Sequence, residues 1–313
     1  MKIGKIIPVL IIILFIAGSM AKARADTKEY TLDVDHASRT FLIHVPKNIT
    51  HGQSVPLVIA LHGGGTSGKA MERFSGLSES AEKYGFVVAY PNGTGRLKRI
   101  LTWNSGNCCG YAQNQNTDDV AFIRKMILSM VKHSHIDPSR VYATGISNGA
   151  MMAYRLAAEL PDEIAAIAAV SGTLDVDPNL VRAPIPILHF HGTDDQYVPF
   201  EGGHGKRSME KNLHTSVADT IKVWVRINGA DPTPRVEELP KRYDDGTHVI
   251  RYTYRTNRDD KNIILYKIIG GGHTWPGKPH LKLILGRTTT EISANDIMWE
   301  FFSAHPKKST RRE

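Results

Sequence analysis

Val141-Tyr142-Ala143-Thr144-Gly145-Ile146-Ser147-Asn148-Gly149-Ala150-Met151-Met152-Ala153-Tyr154 is the stretch whose reading decides the fold. Its first four residues form a short strand, and Gly149 to Leu160 reads as a helix. Between them, Gly145-Ile146-Ser147-Asn148-Gly149 fits G-x-S-x-G, and a strand before and a helix after are the setting that pattern requires. The flanking glycines let the backbone turn sharply and hold Ser147 in a strained position above a sheet. The helix N-terminus favours negative charge developing there. A Gly-rich helix entry capped by a serine fits the bare pattern too, so the flanking sequence must decide.

Upstream, Pro56-Leu57-Val58-Ile59-Ala60-Leu61 is apolar at every position and runs directly into His62-Gly63-Gly64-Gly65. A continuous apolar run of that length suits a strand covered on both faces. Glycines at its end let backbone N–H groups approach a developing oxyanion, with one donor from Gly64 or Gly65 and the other from Asn148. Further strands are expected at Glu29–Val34, Arg39–Val45, Phe86–Tyr90, Ile164–Val170, Ile185–Phe190, His248–Tyr254 and Ile263–Ile269. Helices are expected over Lys69–Tyr84, from an N-cap at Thr117 to about His135, around Trp224, and over Glu291–Phe302. Asn92 to Gln115 reads as a long irregular loop. Strand and helix alternate, which predicts a mostly parallel central sheet with helices on both faces, an α/β-hydrolase fold.

In that fold an acid and a base follow the nucleophile in chain order. His191-Gly192-Thr193-Asp194-Asp195 ends a buried strand, and on spacing Asp194 and Asp195 compete for the acid's place. His191 reads as shaping the turn. Gly270-Gly271-Gly272-His273-Thr274-Trp275-Pro276 follows the last apolar strand, where His273 is placed to act as general base. His62, His189, His204 and His248 lack such support, and none of them shows metal-ligand spacing beside a carboxylate, so neither metal nor cofactor is expected.

The chain has 313 residues and a formal charge of +8. Residues 1–25 read as a signal peptide: Lys2 and Lys5, an apolar run from Ile6 to Ala17, and Ala23-Arg24-Ala25 before a cut at Asp26. The run is shorter than the roughly 18–20 residues a spanning helix needs, so no stable membrane anchor is expected after cleavage. Cleavage would remove four cations and no acids, lowering the charge to +4. No basic and aromatic stripe points to nucleic acid. Residues 26–313 are expected to form a single catalytic domain, exported to the periplasm or beyond the cell. The only two cysteines are adjacent, Cys108 and Cys109. An oxidising compartment favours a bond between them, but neighbouring Cα atoms about 3.8 Å apart oppose it, and both readings stay open.

These motifs occur with Trp103, Asn107-Cys108-Cys109-Gly110, Asp118-Asp119-Val120-Ala121-Phe122, Val198-Pro199 and His273-Thr274-Trp275-Pro276-Gly277. In this combination and order the chain resembles the polyhydroxybutyrate depolymerase-type esterase family, which includes feruloyl and acetyl-xylan esterases. The likeness covers about residues 30–300. It implies a triad of Ser147, Asp195 and His273, because the family's aspartate stands three residues before the Val-Pro pair. It also implies that Trp103, Cys108, Cys109 and Trp275 lie near the substrate pocket. No extra substrate-binding domain is visible, which makes soluble esters or oligomers the expected substrates. A peptidase or amidase on the same fold, and a non-catalytic surface-binding protein, are the alternatives.

Overall fold

The computed structural model describes residues 27–34, 37–50, 52–97, 99–208, 212–256, 262–279 and 282–308. The expected signal segment and the end of the basic tail lie outside them. Twelve strands are β1 (Lys28–Val34), β2 (Ala37–His44), β3 (Val55–Leu61), β4 (Val87–Pro91), β5 (Thr94–Leu97), β6 (Ile100–Thr102), β7 (Ile136–Ile146), β8 (Ala166–Val170), β9 (Ile187–Gly192), β10 (Arg235–Glu238), β11 (His248–Tyr254) and β12 (Ile263–Ile269). Among the described residues the α-helices are α1 (Gly68–Ser75), α2 (Leu77–Tyr84), α3 (Gly110–Asn114), α4 (Asp119–His133), α5 (Asn148–Glu159), α6 (Val217–Asn228), α7 (Lys282–Leu285) and α8 (Ala294–Ala304).

Ten strands form one sheet in the order β1-β2-β4-β3-β7-β8-β9-β12-β11-β10. The six from β4 to β12 run parallel, and antiparallel strands finish both edges. Side chains alternate across a strand, so each parallel strand feeds two cores. Leu57, Ile59, Val141 and Ile167 pack with α4, α5 and α6 on one face. Val58, Tyr142, Ala168 and Phe190 pack with α1, α2 and α8 on the other. That two-sided burial is why these strands read as unbroken apolar runs. The parallel sheet covered on both faces is the expected α/β-hydrolase architecture.

Strand order places the functional loops. β3 leads outward to β4, and the chain then returns so that β7 pairs β3 on its other side, with Leu61 opposite Gly145. The direction of winding reverses between these two strands, and crevices for ligands open at such points. β9 and β12 are likewise neighbours, with Gly192 opposite Ile268. The loops carrying Asp195 and His273 therefore leave the sheet side by side, although 78 residues separate them.

Several boundaries differ from expectation. Lys69–Tyr84 is two helices, because Gly76 at φ +61° caps α1 with its N–H on Glu72 O and starts α2. Asp118, not Thr117, caps α4, accepting from Ala121 N at 2.8 Å. The Asn92–Gln115 stretch contains the β5–β6 hairpin and α3.

Candidate active site

Ser147 joins β7 to α5 at φ +58° and ψ −127°, a strained position for a residue with a side chain. The two motif glycines are needed for close approach rather than for unusual dihedrals. A Cβ on Gly145 would lie 2.5 Å from the Gly149 carbonyl carbon and 2.8 Å from Leu61 O. One on Gly149 would lie 2.6 Å from His62 O. The elbow is thus pressed against the end of β3, and the strain is concentrated at the serine.

That contact brings the His62–Gly65 turn over the elbow. Gly65 N–H is already donated to Leu101 O at 2.8 Å, so the sequence expectation that either Gly64 or Gly65 serves as an oxyanion donor narrows. Among the described hydrogen bonds, Gly64 N–H has no protein acceptor, and its Cα faces Asn148: a Cβ there would sit 3.6 Å from Asn148 Cβ. Asn148, at the first position of α5, likewise has a backbone N–H with no acceptor among the described hydrogen bonds. Its side chain is committed elsewhere. Asn148 Oδ1 accepts from Trp103 N at 2.7 Å, and Nδ2 donates to Trp103 O at 3.0 Å and to Ser105 Oγ at 3.2 Å. Those bonds fasten the elbow to the loop that carries the cysteines.

His62 has a structural part that its isolated position in the sequence conceals. Nδ1 donates to Gly63 O at 2.9 Å, and Nε2 accepts from Gly93 N at 3.0 Å. Its carbonyl accepts from Trp103 Nε1 at 3.0 Å. This arrangement requires a neutral ring, and burial lowers its pKa to about 4. Arg39 and Asp119 also escaped notice as a pair. They form a buried ion pair at 2.6 Å, and Asp119 Oδ2 accepts from Asn104 N at 2.8 Å, anchoring the residue after Trp103. An arginine in an inward position of an alternating strand is the signal that would have found them.

The acid and base loops meet. His273 Nδ1 donates to Asp195 Oδ2 at 2.7 Å, and Asp195 Oδ1 accepts from Tyr197 N at 2.8 Å and Val198 N at 2.9 Å. Burial opposes ionisation of Asp195, yet the neighbouring His273 and its hydrogen bond outweigh it and hold the carboxyl below its usual range. Asp194 points outward, 56% exposed, toward Arg287 at 3.7 Å. The Tyr197 ring lies 4.9 Å from that of His273. With Nδ1–H on Asp195, the ring presents Nε2 as an acceptor. Among the described hydrogen bonds none joins it to Ser147.

Of the pocket candidates, Trp275 is fully buried in the core, with Nε1 donating to Asn295 Oδ1 at 2.8 Å and the ring edge-on to Phe74. The apolar surface of α8 and the α1–α2 corner accounts for its burial. Trp103 is also fully buried and braces the turn from behind. Cys108 and Cys109 lie sulfur against sulfur across a cis peptide, the contact that a bond between them requires. They pack on Met151 and Val198, between the elbow helix and the acid loop.

Residues 50–224 match the phospholipase/carboxylesterase family. The chain belongs to that family. Its members are carboxylic-ester hydrolases, and this chain is one. It is 32% identical to a protein of Nocardia uniformis subsp. tsuyamanensis named as esterase NocK, over 89% of this chain and 83% of the relative. It is 30% identical to poly(3-hydroxyalkanoate) depolymerase C of Paucimonas lemoignei and 28% identical to feruloyl esterase B of Piromyces equi, over 75% of this chain in each case. It spans only 58% and 42% of those two proteins. The solved acetyl xylan esterase of Aspergillus awamori superposes with a TM-score of 0.59 at 19% identity, over 88% of this chain and 99% of that one, a likeness of fold.

Proposed function

We propose that this family member is a serine esterase that works through an acyl-enzyme. Ser147 attacks the ester carbonyl while His273 Nε2 takes its proton, and Asp195 holds the ring and stabilises the imidazolium. The amides of Gly64 and Asn148 receive the oxyanion, replacing the less specific sequence expectation that included Gly65. The alcohol leaves with the proton from His273, and a water activated by the same ring releases the acid. What carries this reading is the 2.7 Å Asp195–His273 bond, which fixes the tautomer that leaves Nε2 bare.

For substrates, the names of the relatives support feruloyl, acetyl and hydroxyalkanoate esters, and the sequence expectation narrows these to soluble esters or oligomers. Export rests on residues 1–25, and the mature domain on residues 26–313. The test is p-nitrophenyl acetate turnover and fluorophosphonate labelling of wild type and Ser147→Ala. The variant should stay folded, lose labelling, and lose about 10⁴-fold or more in kcat. Undiminished turnover would refute the mechanism. A panel of methyl ferulate, acetylated xylan oligomers, 3-hydroxybutyrate oligomers and a peptide anilide then fixes the acyl group; hydrolysis of the anilide alone would overturn the ester reading.

A further inference from the structure

Behind the Asp195 loop runs a chain of buried polar groups that the mechanism above does not use. Tyr154 on α5 places its hydroxyl 2.6 Å from His189 Nδ1. His189 Nε2 lies 3.1 Å from His191 Nδ1, and His191 Nε2 lies 2.8 Å from Val198 O. All three side chains are fully buried, and the two imidazoles are near parallel at 5.3 Å. His191 Nε2 is also 3.5 Å from Asp195 Oδ2, the oxygen that accepts from His273.

The direction of this chain is settled at one end. A carbonyl oxygen only accepts, so His191 must carry its proton on Nε2 to satisfy Val198 O. A neutral His191 then accepts at Nδ1, His189 must donate from Nε2, and Tyr154 must donate to His189 Nδ1. Burial favours the neutral ring of each histidine, lowering the pKa of both. With the opposite tautomer, His191 Nε2 would set a lone pair against Val198 O and Asp195 Oδ2.

We infer that His191 is a positioning residue for the acid of the triad, with its tautomer imposed by Val198 O and supported from behind by His189 and Tyr154. Val198 is the hinge of the argument. Its N–H donates to Asp195 Oδ1, and its carbonyl receives His191. The turn from Asp195 to Val198 is therefore held from both sides, and the Nε2–H dipole of His191 faces the carboxylate. Tyr154 belongs to the helix that Ser147 begins, so the chain ties the nucleophile's helix to the acid's loop. Loosening the turn lets Asp195 drift from His273, and displacements of about 1 Å at such a contact can cost about 100-fold in rate.

The inference rests on the triad reading, and the experiment separates the two. His191→Met removes the donor at similar volume, and His191→Gln restores an N–H near the position of Nε2. Tyr154→Phe removes only the hydroxyl at the far end of the chain, which holds His189 in the orientation that lets it donate to His191. On p-nitrophenyl acetate, His191→Met should lose about 10- to 100-fold in kcat with KM within about twofold of wild type. His191→Gln should regain most of that loss, and Tyr154→Phe should fall between wild type and His191→Met. A folded His191→Met with wild-type kcat, or a His191→Gln no better than His191→Met, overturns the inference while leaving an active wild type and the triad intact. Nitrogen-15 NMR of the wild-type imidazoles at pH 7 decides the matter if His191→Met does not fold. A neutral His191 protonated on Nε2 supports the inference, and one protonated on Nδ1 or doubly protonated overturns it.

Discussion

Asn148 illustrates how much one residue of the motif does beyond the pattern that reveals it. Its backbone N–H is proposed for the oxyanion, while its side chain makes three hydrogen bonds to Trp103 and Ser105. Truncating it leaves the buried N–H and C=O of Trp103 without their partner, and each such group costs about 1–3 kcal/mol. Asn148→Ala should therefore lose about 2–4 kcal/mol in urea unfolding and also lose turnover, since the loop behind the elbow loosens. Unchanged stability would mean that water replaces the amide there without loss. The x positions of G-x-S-x-G carry no information in the pattern itself. The side-chain role of Asn148 becomes visible only when Trp103, 45 positions away, is known to lie against it.

At the scale of elements, the β7–elbow–α5 unit is legible because every cue in it is local. The strand's apolar residues, the two glycines and the helix that follows occupy about twenty consecutive positions. The tightness of the unit is a property of β3 as well, since Gly145 and Gly149 both abut its end. Gly149→Ala should thus push the elbow off Leu61 and His62. The expected loss is about 2–3 kcal/mol, with weaker fluorophosphonate labelling of Ser147, and a stable, fully labelled variant would show that β3 yields. Local cues were less useful between Lys69 and Tyr84. A single glycine lowers helix stability by only about 1 kcal/mol, so the sequence does not say whether Gly76 is carried or ends the helix. The left-handed turn at Gly76 decides it, after which α1 packs on β3 and β4 and α2 on β4 and α8.

Across the whole molecule, burial sets charge states that composition cannot show. Asp175 sits in Leu174-Asp175-Val176-Asp177, which reads like an ordinary polar loop, yet it is only 3% exposed, and Oδ2 has no hydrogen-bond partner among the described residues. Burial raises its pKa to about 7, whereas in the unfolded chain it titrates near about 3.9. A raised carboxyl favours the fold fully below the unfolded value, and that contribution is lost as pH rises through the folded one. Asp175→Asn cannot ionise, so it should gain on wild type between pH 5 and pH 8 by roughly 2–4 kcal/mol, read from urea midpoints at each pH. A difference between the two proteins that stays constant with pH would show that Asp175 is hydrated.

Taken alone, the sequence determined whatever depends on neighbours in the chain: the doubly covered strands, the alternation of strand and helix, the elbow at Ser147, and the glycine turn after β3. These follow from apolar runs and from the steric freedom of glycine, which act over a few residues. Tertiary structure decided the rest. Asp195 rather than Asp194 meets His273 because β9 and β12 pair and aim one carboxyl inward. Among the described residues Gly64 rather than Gly65 keeps its amide without an acceptor, because Leu101 takes the other. Trp275 belongs to the core because α8 closes over it, and His191 faces the acid loop because Val198 folds back onto it. Each of these is a choice between adjacent or alike residues that contacts between distant parts of the chain make, and only for Asp195 did the family resemblance, through the Val198-Pro199 spacing, already imply the outcome.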